Sequence, residues 1–255
     1  MPPSKWRHFL RPSVCAYLVA IYIIGVLASG VFAVAHIAGI VSATLLCLAS
    51  ITVNHYFDRE YDKKSKQLYR FPVADGSISP NFAFGLSALL MLVPVLLALS
   101  FLDLNSFYLI LFGIFVVLAY SMPPIRMKER PLLGLIWNGL GYGLLPYYLA
   151  LFVSDISITS DMHLFSLVPF LVAMSGHVLL QIRDIKDDKK AKVKTTSTVL
   201  GGLPALKLAK VMPALAGLIV LYLAVIEFLN PLAYLSVIAG AFAVFEYRRM
   251  KREGV

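Results

Sequence analysis

Apolar positions along this chain come in blocks that are too continuous for the alternation of a strand and too wide for the one-sided stripe of a soluble helix. Runs close to the length a helix needs to cross a bilayer, about 20 residues, fall at 14–34, 37–57, 82–101, 105–122, 132–153, 163–183, 205–227 and 231–247. The pattern predicts an all-α, polytopic membrane bundle of eight or nine transmembrane helices, with 1–255 as a single transmembrane domain. No small-residue cleavage site follows the first run into a polar mature segment, so it is expected to remain as a helix. Polar residues gather in the connections, and two of these, Arg59 to Pro80 and Lys186 to Pro204, exceed ordinary helix links and are candidates for function. Acidic clusters close the second and sixth helices, and each leads into one of these long loops. That predicts two four-helix halves in parallel orientation, a repeat resting on topology because the halves share little residue similarity.

Composition strengthens the membrane reading. Hydrophobic residues make up 59% of the chain and charged ones 15%, with a mean hydropathy of +0.80, whereas a soluble domain is about half apolar. All 23 basic residues fall in five places: Lys5 to Arg11, Arg59 to Arg70, Arg126 to Arg130, Arg183 to Lys210 and Arg248 to Arg252. With an even helix count these lie on one face, and the opposite connections, AVAHI, FLDLNS, VSDISITSDM and FLNP, carry none. The positive-inside rule makes the basic face and both termini cytoplasmic, in a multi-pass protein of the cell membrane. The net charge of +9 then describes a surface facing membrane lipid. Basic and aromatic residues do not interleave on a soluble surface, so nucleic acid is excluded as a partner, and no obligate protein partner is evident. Cys15 and Cys47 sit inside apolar runs without metal-ligand spacing and read as packing residues.

The acids then need an explanation. NHYFDREYD, Asn54 to Asp62, places three carboxylates after an apolar run. At about 100° per residue, positions four apart drift by only about 40°, so Asn54, Asp58 and Asp62 share one helix face. RDIKDD, Arg183 to Asp188, repeats that spacing at Asp184 and Asp188. Carboxylates and an amide oxygen so arranged suit Mg²⁺, which takes one or two carboxylates and completes its octahedron with water and phosphate oxygens. Two facing clusters would hold a diphosphate between metal ions. Taken singly, each also reads as solvated acids among lysines.

These residues carry a resemblance. NxxxDxxxD at Asn54, Asp58 and Asp62, and DxxxD at Asp184 and Asp188, resemble the two motifs of the UbiA superfamily of intramembrane polyprenyltransferases. RFPVADGSIS is similar to the RP..SG.IS that follows the first motif there, KTTSTVLG to the KT...VLG after the second, and YSMPPIRMK, Tyr120 to Lys128, to the family's YS.PP...K loop. Two positions depart: His55 stands where many members have an acid, and Phe71 separates Arg70 from Pro72.

The resemblance implies Mg²⁺-dependent transfer of a polyprenyl group from an allylic prenyl diphosphate to a lipophilic acceptor. Asp58, Asp62, Asp184 and Asp188 would be the catalytic acids and, with Asn54, the metal ligands. Arg70, Lys128, Lys194, Arg11 and Arg126 would contact the diphosphate, each with the alternative of a plain topology signal. Tyr120 would face the allylic cation or anchor the interface. Asn138, His177 and Gln181 are polar within apolar runs. They either line the prenyl and acceptor pocket or satisfy one another between helices. The glycines of WNGLGYGLLP, Trp137 to Pro146, would thin a wall of that pocket or let helices approach closely. Quinone-precursor aromatics, ether-lipid glycerol phosphates, tetrapyrroles and carotenoids all stand as acceptors. The alternative from another class is a secondary transporter that uses the acids for ion coupling, although transporter sites lie nearer the midplane.

Overall fold

Prolines and short polar caps set where several of the helices begin. Pro12 occupies the first turn of α2 (Pro12–Ser29) and Pro80 that of α4 (Pro80–Phe101), where a missing N–H costs nothing. The Ser79 hydroxyl caps α4 by accepting from Phe82 N, and the Asp103 carboxylate caps α5 (Leu104–Ser121) by accepting from Asn105 N and Ser106 N. The computed structural model describes residues 5–65, 67–190 and 193–226. Within them lie also α1 (Lys5–Leu10), α3 (Ala35–Asp62), α6 (Leu133–Gly139), a π-helical turn (Leu140–Leu144), α7 (Leu145–Val153), α8 (Ser160–Lys190), α9 (Thr196–Leu200) and α10 (Gly202–Val225). No strand occurs among the described residues.

Six of these segments are long and apolar enough to cross a membrane. The seventh, α6 through α7, continues helical from 133 to 153 by way of the π turn and accounts for the fifth expected span. The eighth expected helix, 231–247, lies outside the described residues. The clearest difference from expectation is at two helix ends. α3 and α8 continue past 57 and 183, through both acidic motifs, to Asp62 and Lys190. Hydropathy falls at the two motifs, whereas the backbone hydrogen bonds of both helices run on through them.

The bundle packs in two comparable sets. α3 lies chiefly against α4, and α8 chiefly against α10. α2 joins the sets by lying on α7, where Gly25 is obligatory: a Cβ there would sit 2.7 Å from both Ala150 Cβ and Tyr147 O. The core at this crossing includes Leu18, Tyr22, Cys47, Ile51, Leu149 and Ala150. Leu89, Leu92, Leu96 and Leu99 on α4, with Leu218 and Leu221 on α10, are exposed and face lipid. Several buried polar side chains find partners inside the bundle, where a bilayer offers no water. Tyr22 Oη pairs with His36 Nδ1 at 3.0 Å, and Ser87 Oγ donates to Thr52 Oγ1 at 2.8 Å.

Candidate active site

Because α3 stays helical to its end, Asn54, Asp58 and Asp62 keep one face over two turns. Asp58 and Asp62 are buried, 8% and 6% exposed. Asp58 is held by the loop between α5 and α6: its Oδ1 accepts from Arg126 Nη2 at 3.3 Å, and its Oδ2 from Lys128 Nζ. Arg126 adopts a left-handed backbone, φ 38°, a conformation that costs a non-glycine residue about 1–3 kcal/mol and persists only where surroundings hold it. Glu129 and Asp58 supply that hold, with Arg126 Nε donating to Glu129 Oε1 at 2.8 Å. Burial works against the Arg126 charge, but the two carboxylates outweigh it and keep the guanidinium above its ordinary pKa. For Lys128 the balance falls the other way: burial pulls the ammonium below the usual lysine range despite the opposing attraction of Asp58.

The second motif abuts the first. Asp188, also buried, accepts from Tyr61 Oη at 2.7 Å through Oδ1 and from Thr195 Oγ1 at 3.5 Å through Oδ2. Tyr61 belongs to α3, so one hydrogen bond joins the two acidic helix ends. Asp184 is half-buried and receives a bidentate pair from Arg183, Nε and Nη2 each at 2.8 Å. Tyr120 lies within electrostatic range of both Asp58 and Asp188, and its Oη pairs with His177 Nε2 at 3.2 Å.

Behind these acids opens a cavity of about 110 Å³. Arg11, Asn54, Tyr120 and Asn138 line it together with apolar side chains such as Leu46, Ile110 and Leu149. The π turn supplies one wall. The two roles expected for its glycines are divided among them. A Cβ on Gly143 would stand 2.6 Å from Pro169 O, and one on Gly139 would stand 2.7 Å from Phe170 Cδ2, so both permit close contact with α8. Gly141 borders the cavity, where a Cβ would meet only Val116 Cγ1 at 3.5 Å. Tyr142, on the same turn, hydrogen-bonds Ser50 of α3 at 2.8 Å across the cavity wall.

The other expected residues are placed as follows. Gln181 is turned to α9, its Oε1 accepting from Ser197 N at 3.2 Å. His177 reaches Tyr120 and is not itself among the cavity-lining residues. Arg70 is half-buried and donates to Gln67 Oε1 at 2.9 Å, within electrostatic range of Arg11. Lys194 is exposed just before α9.

Among the described residues, no three His, Cys, Asp or Glu side chains close around one point. Mg²⁺ does not require that, since one or two carboxylates per ion suffice when phosphate and water complete the shell. The donors present are hard oxygens, and the Asp62 carboxylate has no hydrogen-bond partner among the described residues. The site fits the ion.

A profile of the UbiA prenyltransferase family matches residues 13–254. The chain belongs to that family. It is a membrane-embedded prenyltransferase, and the transporter alternative is not favoured. Solved UbiA homologs share the fold. One from Archaeoglobus fulgidus bound to GPP and Mg²⁺ has a TM-score of 0.77 at 22% identity, covering 94% of this chain and 87% of that one. The same homolog bound to DMAPP and Mg²⁺ gives 0.76 at 21%, covering 95% and 85%. Among relatives of known name, the digeranylgeranylglyceryl phosphate synthase of Pyrococcus horikoshii is 26% identical over 204 residues, 79% of this chain and 70% of the relative. The lycopene elongase/hydratase of Corynebacterium glutamicum is 25% identical over 178 residues, 68% and 60% of the two chains. The bacteriochlorophyll synthase 33 kDa chain of Cereibacter sphaeroides is 27% identical over 218 residues, 84% and 70%. The matched stretches thus span 60% to 70% of the length of these three relatives.

Several residues of the UbiA-type site escaped the sequence reading. Tyr61 lies inside the first motif, but a tyrosine near a membrane edge reads as an anchor. Arg183 is next to Asp184, and Thr195 in KTTSTVLG is seven residues beyond Asp188. Only the closure of that loop into α9 brings Thr195 back to the carboxylate.

Proposed function

We propose that this UbiA-family enzyme transfers a polyprenyl group from an allylic prenyl diphosphate to a lipophilic acceptor within the membrane, with Mg²⁺ as cofactor and the polar site on the cytoplasmic face. The observation that carries the proposal is the joining of the two acidic helix ends through Tyr61 and Asp188, at the mouth of an apolar cavity and beside the Lys128 and Arg126 cations. Asn54, Asp58 and Asp62 on one side, and Asp184 and Asp188 on the other, would hold the metal. Bound there, Mg²⁺ supplies Lewis-acid stabilisation of the leaving diphosphate.

The chain's own groups do the rest. Lys128 presents a point charge and Arg126 a planar fork to the diphosphate oxygens. Arg11, at the cavity, adds a third cation, and Arg70 and Lys194 approach from the two long loops. As the allylic C–O bond breaks, its electron pair leaves with the diphosphate, so these preorganised donors stabilise charge where it develops. The Tyr120 ring, between the two clusters and the cavity, faces the delocalised cation, and His177 fixes its hydroxyl. The acceptor then forms the new bond and loses a proton. Its class lies among quinone-precursor aromatics, glycerol-phosphate ether lipids, tetrapyrroles and other isoprenoids. The named relatives, a glyceryl phosphate synthase, a lycopene elongase and a bacteriochlorophyll synthase, support the last three of these classes.

The test uses purified, detergent-solubilised protein with geranylgeranyl or farnesyl diphosphate and a panel of acceptors. Product that requires Mg²⁺ and is lost in both Asp58→Ala and Asp184→Ala is expected. Equal behaviour of wild type and both variants sinks the proposal.

A further inference from the structure

One cluster beside the site has no part in the chemistry above. α1 lies against the acidic end of α3, and four of its residues are tied down. Phe9 is fully buried and stacks on His55, ring centroids 5.5 Å apart and planes 28° from parallel. His55 in turn meets Phe71 edge-on at 6.5 Å. Trp6 packs edge-on against Phe82 at 6.2 Å, and His8 against Tyr69 at 5.6 Å. Lys5 Nζ donates to Ser77 O at 3.2 Å. Beneath them Phe9, Val73, Ile78 and Ala83 form a small apolar core. His55 and Phe71, the two departures from the family pattern, are therefore one feature: they touch.

The residue after α1 is Arg11. It rests in the left-handed region, φ 44° and ψ 63°, although the following Pro12 favours extended backbone there. It lines the cavity within electrostatic range of Asp62 and Arg70. A non-glycine residue stays in that conformation only when held from both sides. α2, packed into the bundle, holds one side, and the aromatic stack holds the other. His55 is 2% exposed and its Nε2 has no hydrogen-bond partner among the described residues. The ring meets α1 twice, by its face on Phe9 and by a hydrogen bond to the His8 backbone.

We propose that His55 is a positioning residue. Its stack with Phe9 and Phe71 seats α1, and through α1 holds Arg11 at the cavity mouth to meet the diphosphate. The inference rests on the prenyl diphosphate reading of that mouth, so its test has one readout independent of turnover.

The full chain in detergent would be compared as wild type, His55→Ala, His55→Phe, Arg11→Gln and the His55→Ala/Arg11→Gln double variant. The first readout is the rate of trypsin cleavage after Arg7 without substrate, and the second is steady-state kinetics with geranylgeranyl diphosphate. His55→Ala is expected to speed cleavage and raise KM about tenfold, the scale of one charge-assisted contact, with little change in kcat. Arg11→Gln should raise KM equally, and the double variant should be no worse. His55→Phe, which keeps the stack but not the bond to the His8 backbone, should recover most of the slow cleavage and low KM. Phe71→Ala, at the half-buried rim, gives the same comparison with less disturbance if His55→Ala does not fold. A His55→Phe variant no better than His55→Ala in either readout would overturn the proposal, because the stack would then not be what seats α1. Multiplying KM effects in the double variant, or Phe71→Ala with unchanged cleavage and KM, would overturn it too. A wild type that turns over no prenyl diphosphate would sink the transferase reading instead, and the cleavage rates would still decide whether the stack seats α1.

Discussion

Replacing Lys128 with methionine should change the affinities for metal and for substrate in opposite directions. The Lys128 ammonium pairs with Asp58 Oδ2, and both side chains are largely buried, 14% and 11% exposed. A divalent ion using that carboxylate must displace a charge-assisted hydrogen bond worth about 1.5–3 kcal/mol. Lys128→Met removes the competitor while conserving apolar bulk. Without diphosphate, affinity for Mg²⁺ or Mn²⁺ should therefore rise about tenfold or more, at about 1.4 kcal/mol per decade. Affinity for prenyl diphosphate at saturating Mg²⁺ should fall by a similar factor, because the ammonium is then missing from the diphosphate. Folding stability should drop by less than the roughly 3–5 kcal/mol of a stranded buried charge, since Arg126 still holds Asp58 at 3.3 Å. Calorimetric titration of Mn²⁺ and of a non-hydrolysable prenyl diphosphate analogue reads both constants. Unchanged or weaker metal binding in the variant would refute the idea that Lys128 competes with metal for Asp58.

Four further variants probe particular contacts. Tyr61→Phe removes the 2.7 Å bond that joins the two acidic helix ends. Thermal unfolding should show a loss of about 1.5–3 kcal/mol, and turnover should need more Mg²⁺ for half-saturation. Gly143→Ala forces a Cβ to 2.6 Å from Pro169 O, so it should cost about 1–3 kcal/mol of stability by overpacking, read by the same unfolding assay. Gly141→Ala has room at 3.5 Å and should leave stability nearly unchanged. Gly141→Val, which fills the cavity further, should lower kcat/KM for geranylgeranyl diphosphate more than for geranyl diphosphate.

What the sequence made legible was whatever repeats. Long apolar runs give the spans, and the four-residue spacing of Asn54, Asp58 and Asp62 puts them on one face because the helix holds 3.6 residues per turn. What it hid depends on chain that doubles back. His177 and Gln181 share a face in sequence, yet one serves Tyr120 and the other the Ser197 amide, because the five-residue α9, too short to leave a periodic pattern, folds against α8. The glycines of the fifth span could not be sorted either. Whether Gly141 or Gly143 met the cavity depended on the register through the π turn, which the apolar pattern does not encode. Arg11 was legible as a cation, but the break in the helix beside it was not. The aromatic stack that fixes its direction draws on residues as far apart as Phe9 and Phe71.

The most direct test of the central claim is the binding of a non-hydrolysable geranylgeranyl diphosphate analogue to detergent-solubilised wild type, Asp58→Asn and Asp184→Asn, each with Mg²⁺ and with EDTA. If the two acidic helix ends grip one diphosphate through metal, wild type binds only with Mg²⁺ and each single variant loses most of that affinity. Tight binding in EDTA, or a variant of either cluster that binds as wild type does, would contradict the account.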